Sequence, residues 1–170
     1  MNFFQGDRQA AVKKRDRGAI HNWQRAVRVA RRPLELFLCR VKNELGLDEA
    51  GVTVRLVSDA EIARMNETFR KKKGPTDVLS FPAVLRRKPK RMFLDGRRSK
   101  IVKTCEYLGD IAISPATARR YAKNHGRKLS NELRVLVLHG VLHLVGYDHE
   151  TDRGEMDRIE RKLRRRLGLT

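Results

Sequence analysis

The sequence is poor in cysteine and in acidic residues, and it contains no long apolar segment. Its two cysteines, Cys39 and Cys105, lie far apart, which argues against a disulfide framework and favours a reducing compartment. No run of about 18 apolar residues is present, and the N-terminus lacks the apolar core of a signal peptide. We therefore expect a cytoplasmic protein with no membrane partner.

Acidic residues are half as common as basic ones, with 20 Asp and Glu against 39 Lys and Arg, and the formal net charge is +19. An excess of this size destabilises a compact chain by self-repulsion, which a polyanionic partner would offset. Nucleic acid is the first candidate for that partner, ahead of an anionic membrane. A generic basic surface is the alternative and would account for part of the excess.

Apolar periodicity predicts short strands that alternate with amphipathic helices. Ser58, Ser114 and Ser130 precede helical segments and are predicted N-caps. Pro82 follows a strand segment and places that strand at a sheet edge or a strand end. The predicted strands are 19–23, 52–57, 76–81 and 107–113, and the predicted helices are 32–45, 59–69, 115–124, 130–145 and one more after residue 152.

The order of these elements predicts one compact α+β domain over residues 18–170, with a small mixed sheet packed by helices; the histidines described next make it a metallo-hydrolase-like domain. Residues 133–145 are apolar on almost every side, which is typical of a helix buried at the centre of a domain. Residues 1–17 lack apolar periodicity and are predicted to be a flexible basic arm. The chain length of 170 residues suits a single domain with a sizeable core.

Three of the five histidines lie within eleven residues at the end of the buried helix. His139 and His143 are four apart and share a helix face, and Gly146 can end the helix so that His149 turns back towards them. Three imidazoles with a fourth position open are the ligand set of a catalytic zinc site. We predict one zinc ion held by these three histidines, because leaving three buried imidazoles without partners would be costly.

The spacing of the histidines matches the long zinc-protease signature, with one difference. A protease carries a glutamate after the first histidine, where it acts as general base, and this chain has Gly140. A glycine inside a helix costs stability, so we expect close packing or substrate approach at that position. The ligand set is retained, and the peptidase mechanism loses its base.

Four segments together resemble the YbeY family of rRNA maturation factors. They are Asn66–Arg70 (NETFR), Pro75–Pro82 (PTDVLSFP), Leu108–Ile111 (LGDI) and the triple-histidine stretch His139–His149, and the resemblance runs in register from about residue 50 to the C-terminus. It implies a zinc-dependent, single-strand-specific endoribonuclease that acts in small-subunit rRNA 3′-end maturation and ribosome quality control. It also implies that the three histidines hold the metal, that Arg70 matters for activity, and that the partners are ribosomal RNA, the small ribosomal subunit and its assembly factors.

Several residues around this site are predicted to assist it. Arg70 would clamp a phosphodiester, since a guanidinium matches phosphate geometry. Asp148 could orient a histidine as an acceptor, and Asp110 or Ser80 could face the site, although no general base is evident. Residues 83–104 form a very basic segment, predicted as a long hairpin that guides RNA or as a solvated charged loop. The predicted RNA contacts are Arg70, Lys72, Lys73, Arg86, Arg87, Lys88, Arg97 and Arg98.

Two other functions remain open at the level of sequence. One is a zinc metallopeptidase, favoured by the histidine spacing and opposed by Gly140 and the positive charge. The other is a non-catalytic ribosome-assembly factor with structural zinc, which would need a fourth protein ligand because structural zinc sites are usually closed.

Overall fold

The computed structural model describes residues 19–83, 107–149 and 152–169, and within them the chain forms four strands and five helices. The strands are β1 (Ala19–Asn22), β2 (Gly51–Leu56), β3 (Val78–Pro82) and β4 (Tyr107–Ile113). The helices are α1 (Arg31–Glu44), α2 (Asp59–Arg70), α3 (Pro115–Asn124), α4 (Leu129–Leu144) and α5 (Glu155–Leu167). The predicted α+β class with a small sheet is confirmed. The predicted arm at 1–17, Cys105 and nearly all of the predicted 83–104 hairpin lie outside the described residues.

The four strands form one mixed sheet in the order β1-β2-β4-β3. β1 pairs with β2 and β2 with β4 in parallel, whereas β3 runs antiparallel to β4 at the edge. The edge position of the strand that ends at Pro82 is therefore as predicted, and it suits a residue that has no backbone N–H to donate.

Helix α4 is the most enclosed helix among the described elements. Nine of its sixteen residues are buried, including its apolar core from Leu136 to Leu138, and it contacts α1, α3, α5, β3 and β4. Such surroundings require an apolar surface on several sides, which is why the periodicity of this segment is weak. The predicted central buried helix is thus present.

Helix starts agree with two of the three predicted N-caps. The Ser58 hydroxyl accepts a hydrogen bond from the Glu61 amide, and the Ser114 hydroxyl accepts one from the Thr117 amide. The prediction for Ser130 is wrong, because α4 begins at Leu129 after Lys128 and has no side-chain cap. The short turn after α3 is closed by a hydrogen bond from the Arg127 amide to the Ala122 carbonyl, 2.8 Å long, and the chain re-enters a helix immediately after it.

The last helix is capped by a residue outside it. The Asp152 carboxylate accepts hydrogen bonds from the amides of Gly154, Glu155 and Met156 at 2.7, 3.1 and 2.9 Å. These are the amides that the first turn of a helix leaves without intrahelical partners. None of the described helices is long and apolar enough to span a membrane.

Candidate metal centre and its cavity

The three predicted ligand histidines converge on one point. His139 and His143 lie one turn apart on α4, with their Nε2 atoms 3.1 Å from each other. His149 completes the group, and one potential ligand atom from each ring lies within 4.8 Å of the other two. The three side chains are therefore grouped closely enough to be candidates for holding one metal ion. His139 and His143 are half-buried and His149 is exposed, so the expectation that all three imidazoles are buried is wrong.

A glycine turn brings His149 back to the helix that carries the other two rings. Gly146 adopts a positive φ of 95°, which residues with a Cβ rarely adopt. The Gly146 amide donates to the His143 carbonyl and the Tyr147 amide to the Leu142 carbonyl, both at 3.0 Å. The buried Tyr147 side chain anchors the turn, and burial followed by the charges of Glu155 and Asp152 raises its pKa to about 12. The turn is therefore fixed by packing as well as by hydrogen bonds.

The electrostatic setting keeps His143 neutral. Burial, and then the positive charges that His139 and His149 would carry, lower the pKa of His143 to about 4, although Asp148 opposes the shift. A neutral imidazole has the free lone pair that metal coordination requires. Three nitrogen donors with no carboxylate in the group are suited to zinc, so the residues present fit the ion that the sequence predicted.

Glu160 contacts the site and was not identified from the sequence. Its Oε2 lies 3.0 Å from Nδ1 of His139, and its Oε1 accepts a hydrogen bond from Nε of Arg164 at 3.0 Å. Burial alone would raise the pKa of Glu160, but the hydrogen bond to His139 and the charges of His139 and Arg164 outweigh it and hold the pKa below its usual value. The available signal was a buried acid within the apolar stripe of α5, which contains Met156, Leu163 and Leu167.

The histidines open into a cavity of about 940 Å³. Its walls combine three arginines, Arg70, Arg127 and Arg164, with four aromatic rings, of which only Tyr147 is buried. Phe69 and Tyr121 are 49% and 44% exposed, which is unusual for large side chains. The cavity therefore offers cations and ring faces beside the three imidazoles. Its aromatic members are Phe69, Phe81, Tyr121 and Tyr147.

The other residues predicted from the sequence fall into three groups. Arg70, Ser80 and Asp148 line the cavity, and the Ser80 hydroxyl donates to the Gly140 carbonyl at 3.3 Å. Lys72 and Lys73 are exposed in the turn after α2, and neither is among the cavity-lining residues. Arg86, Arg87, Lys88, Arg97 and Arg98 lie outside the described residues.

Asp110 does not belong to the site. Its neighbour Ile111 packs against Gly140 of α4, and successive residues of a strand point to opposite faces. Asp110 therefore faces away from α4, where it pairs with Arg55 at 3.3 Å. The suggestion that Asp110 faces the histidines is corrected by this arrangement.

Gly140 permits close packing between α4 and the sheet. A Cβ atom at this position would lie 2.8 Å from both Cδ1 and Cγ2 of Ile111, which is closer than real Cβ contacts. The position that holds the general base of a zinc peptidase thus points at a buried isoleucine in this fold. The structure thus gives a packing reason for the glycine, the residue that already opposed a peptidase at the level of sequence.

The chain is similar over most of its length to several known proteins. The family model described as Endoribonuclease YbeY matches residues 14–168. A protein named Endoribonuclease YbeY from Koribacter versatilis is 43% identical over 83% of this chain and 80% of its own length. Another of the same name from Solibacter usitatus is 40% identical over 89% and 90%. A solution structure of a Thermotoga maritima protein aligns with a TM-score of 0.55 at 27% identity, over 88% of each chain.

Proposed function

Because this chain belongs to the endoribonuclease YbeY family, we propose that it is a zinc-dependent endoribonuclease that cleaves single-stranded RNA. We further propose that it acts in the cytoplasm on the 3′ end of small-subunit rRNA and in ribosome quality control. The observation that carries the proposal is the grouping of three imidazoles in the lining of a cavity that also has arginine in its walls. The reaction class is hydrolysis of a phosphodiester bond.

His139, His143 and His149 would hold the ion. When bound by three imidazoles, zinc supplies a Lewis acid and lowers the pKa of a bound water towards neutrality. The neutral state of His143 supports this role. Asp148 lies close enough to His143 to influence its pKa, and it would stabilise that ring electrostatically as an outer partner of the ligands.

Arg70 is proposed as the catalytic cation. It is the last residue of α2 and lines the cavity that holds the histidines. A guanidinium can donate two parallel hydrogen bonds to a phosphate and stabilise the charge that develops on it during cleavage. Arg127 and Arg164 line the same cavity. Each is paired with a carboxylate, Glu132 or Glu160, and each would offer further hydrogen-bond donors to the RNA backbone.

The aromatic rings of the cavity support a preference for single strands. Bases that are free of a duplex can stack on exposed rings, whereas paired bases cannot. Phe69 adjoins Arg70 and packs edge-to-face on Phe81, with ring centroids 5.1 Å apart. Tyr121 stacks on His125 at 4.1 Å. Each ring pair would offer a rigid surface to a base on one side of the bound phosphate.

The net charge of +19 supports ribosomal RNA, the small subunit and its assembly factors as the setting of the reaction. Lys72 and Lys73 would contact the RNA backbone from the turn after α2. Arg86, Arg87, Lys88, Arg97 and Arg98 are proposed as further phosphate contacts on sequence grounds.

The test combines metal analysis with RNA cleavage. Purified protein should contain about one zinc per chain and should cut a single-stranded fragment from the 3′ end of small-subunit rRNA, and a chelator should abolish the cleavage. His139→Ala and His143→Ala should lose both zinc and cleavage, whereas the matched control His21→Ala, an exposed residue of β1 outside the cluster and the cavity lining, should keep both.

Two results would contradict the proposal. Full zinc in both ligand variants would show that the histidines are not the ligands. Zinc-loaded protein that binds small subunits but never cuts RNA would instead identify a non-catalytic assembly factor. Incubation of the protein with casein in parallel tests for peptidase activity.

A further inference from the structure

We infer that Glu160, itself held by Arg164, positions His139 for metal binding and so acts as a positioning residue of the site. The inference rests on the proposed metal centre. It concerns a residue of α5, eleven positions beyond the last proposed ligand, and it links the metal centre to a helix that contributes no ligand.

The two oxygens of Glu160 serve different partners. Oε2 faces Nδ1 of His139 at 3.0 Å, and Oε1 accepts from Arg164. An ionised carboxylate can only accept hydrogen bonds, so the Nδ1 atom of His139 must carry the proton of this hydrogen bond. Nε2 then carries the lone pair, and it is the Nε2 atom that faces Nε2 of His143 at 3.1 Å. The contact therefore selects the tautomer that can coordinate the ion.

Burial makes this contact firm. The Glu160 side chain is only 8% exposed, whereas its partner on α4, His139, is 25% exposed. A carboxylate removed from water is costly unless it is paired and hydrogen-bonded. Glu160 satisfies that requirement with one partner on each oxygen, so rotation of either the carboxylate or the His139 ring would break a hydrogen bond.

Arg164 completes the arrangement from the cavity side. It lies one turn after Glu160 on α5, its side chain is 32% exposed, and it lines the cavity. Its guanidinium neutralises the carboxylate and fixes its plane. A chain of contacts thus runs from the cavity wall through Arg164 and Glu160 to His139.

A purely structural role is the competing explanation, because a buried ion pair between α4 and α5 would also tie the two helices together. Zinc affinity separates the two roles. Residues that orient a ligating histidine typically contribute about 10–100-fold to metal affinity, whereas a tie between helices changes the stability of the metal-free protein and leaves the affinity unchanged.

The experiment measures zinc affinity. Metal-free protein is titrated with zinc in the presence of a chromophoric chelator that competes for the ion. Glu160→Gln keeps the shape of the side chain and one acceptor oxygen, so it should bind zinc about 10-fold more weakly than the wild type. Glu160→Ala removes both oxygens, and its loss of zinc affinity should approach about 100-fold. Arg164→Met should give a smaller loss. Asp157→Asn, an exposed acid on the same helix, and Arg165→Met are the matched controls and should bind zinc like the wild type.

The visible absorption spectrum of the cobalt-substituted protein gives a second readout. A reoriented His139 ring should alter the band positions or intensities in Glu160→Gln but not in Asp157→Asn. If circular dichroism shows that Glu160→Ala does not fold, the inference is tested with the isosteric variant Glu160→Gln and with Arg164→Met.

The outcomes separate this inference from the proposed function. Zinc affinity within about twofold of wild type and an unchanged cobalt spectrum in Glu160→Gln would overturn the inference alone. A wild type that binds no zinc would overturn both. Weakened zinc binding in the Glu160 variants, combined with a wild type that never cleaves RNA, would support the inference and contradict the proposed function.

Discussion

Gly140 illustrates how one residue can separate two related chemistries. In the zinc-protease signature the position after the first histidine holds the general base. Here any side chain at that position would run into Ile111 of β4. The glycine is therefore explained by packing, and α4 can approach the sheet closely enough to bury its apolar surface.

Replacement of Gly140 by alanine should destabilise the protein despite the better helix propensity of alanine. The added Cβ would overpack against Ile111, at a cost of about 1–3 kcal/mol, and the propensity gain of about 1 kcal/mol offsets only part of it. Urea unfolding of Gly140→Ala should show a net loss.

The double variant Gly140→Ala with Ile111→Ala provides the control for this loss. Ile111→Ala removes the three atoms nearest to the new Cβ, so the two changes should be coupled favourably in a double-mutant cycle. Strict additivity of the two free energies would contradict the packing explanation.

Phe69 is expected to contribute binding energy to RNA and little to stability, because its ring is half exposed at the cavity. Phe69→Ala should weaken the binding of a single-stranded oligonucleotide by about 1–3 kcal/mol, the usual range for loss of one stacked base. Phe69→Tyr should retain most of the affinity. Leu36→Ala, at an equally exposed position on α1 and outside the cavity lining, is the control, and an equal loss there would show that stacking is not involved.

Among the elements, α2 and α3 are joined at their N-termini by Asp59. One oxygen of this carboxylate accepts hydrogen bonds from the hydroxyls of Ser114 and Thr117, and the other lies 2.8 Å from Arg120. Ser114 is also the N-cap of α3. The start of α3 is thus fixed to the start of α2, and α3 in turn packs on α4.

The contribution of Asp59 should depend on pH. Burial would raise its pKa, but the hydrogen bonds from Ser114, Arg120 and Thr117 and the charge of Arg120 outweigh it and hold the pKa below 3.8. A carboxylate with a lowered pKa stabilises the fold at pH values above the unfolded pKa, and this stabilisation is lost as the pH falls through the folded pKa.

Asp59→Asn should therefore cost about 1–3 kcal/mol at neutral pH, and the difference from wild type should shrink as the pH falls below 3.8. Urea unfolding at a series of pH values measures this. Asp157→Asn replaces an exposed acid and should change the free energy of unfolding much less at every pH. A loss of stability in Asp59→Asn that does not vary with pH would contradict the lowered pKa of Asp59.

The elements themselves were predictable because their signals are local. The start of α3 followed from a serine–proline pair and the alternation of β2 from its valines, and the histidine group followed from i, i+4 spacing and a glycine just after the helix. Sheet order and the contact of Glu160 with His139 were not predictable, since both depend on which elements pack together. Ser130 failed as a cap because the turn before α4 is closed by backbone hydrogen bonds that carry no side-chain signature.

At the scale of the whole molecule, charge is the dominant property. The chain carries 39 basic residues and 20 acidic ones, and three arginines of the described part line the cavity. Partners held by cation–phosphate contacts release counterions when they bind. The strength of the proposed RNA interaction should therefore follow ionic strength closely.

The logarithm of RNA affinity should fall linearly with the logarithm of salt concentration, with a slope of about −0.7 for each phosphate contacted on a single strand. Arg70→Ala should reduce the slope by about one contact. Fluorescence anisotropy with a labelled single-stranded RNA measures both slopes. Lys162→Ala, on α5 and outside the cavity lining, is the control variant. If Arg70→Ala and Lys162→Ala gave the same salt slope, a phosphate contact at Arg70 would be contradicted.

The proposed ligands all come from residues 139–149, whereas their supporting acid comes from α5. Bringing together groups so close along a chain costs little loop-closure entropy. Ion capture during synthesis can accordingly begin when α4 and the glycine turn have emerged, before the C-terminal helix exists. Metal affinity would then increase in a second stage, when α5 docks and places the Glu160 carboxylate beside His139.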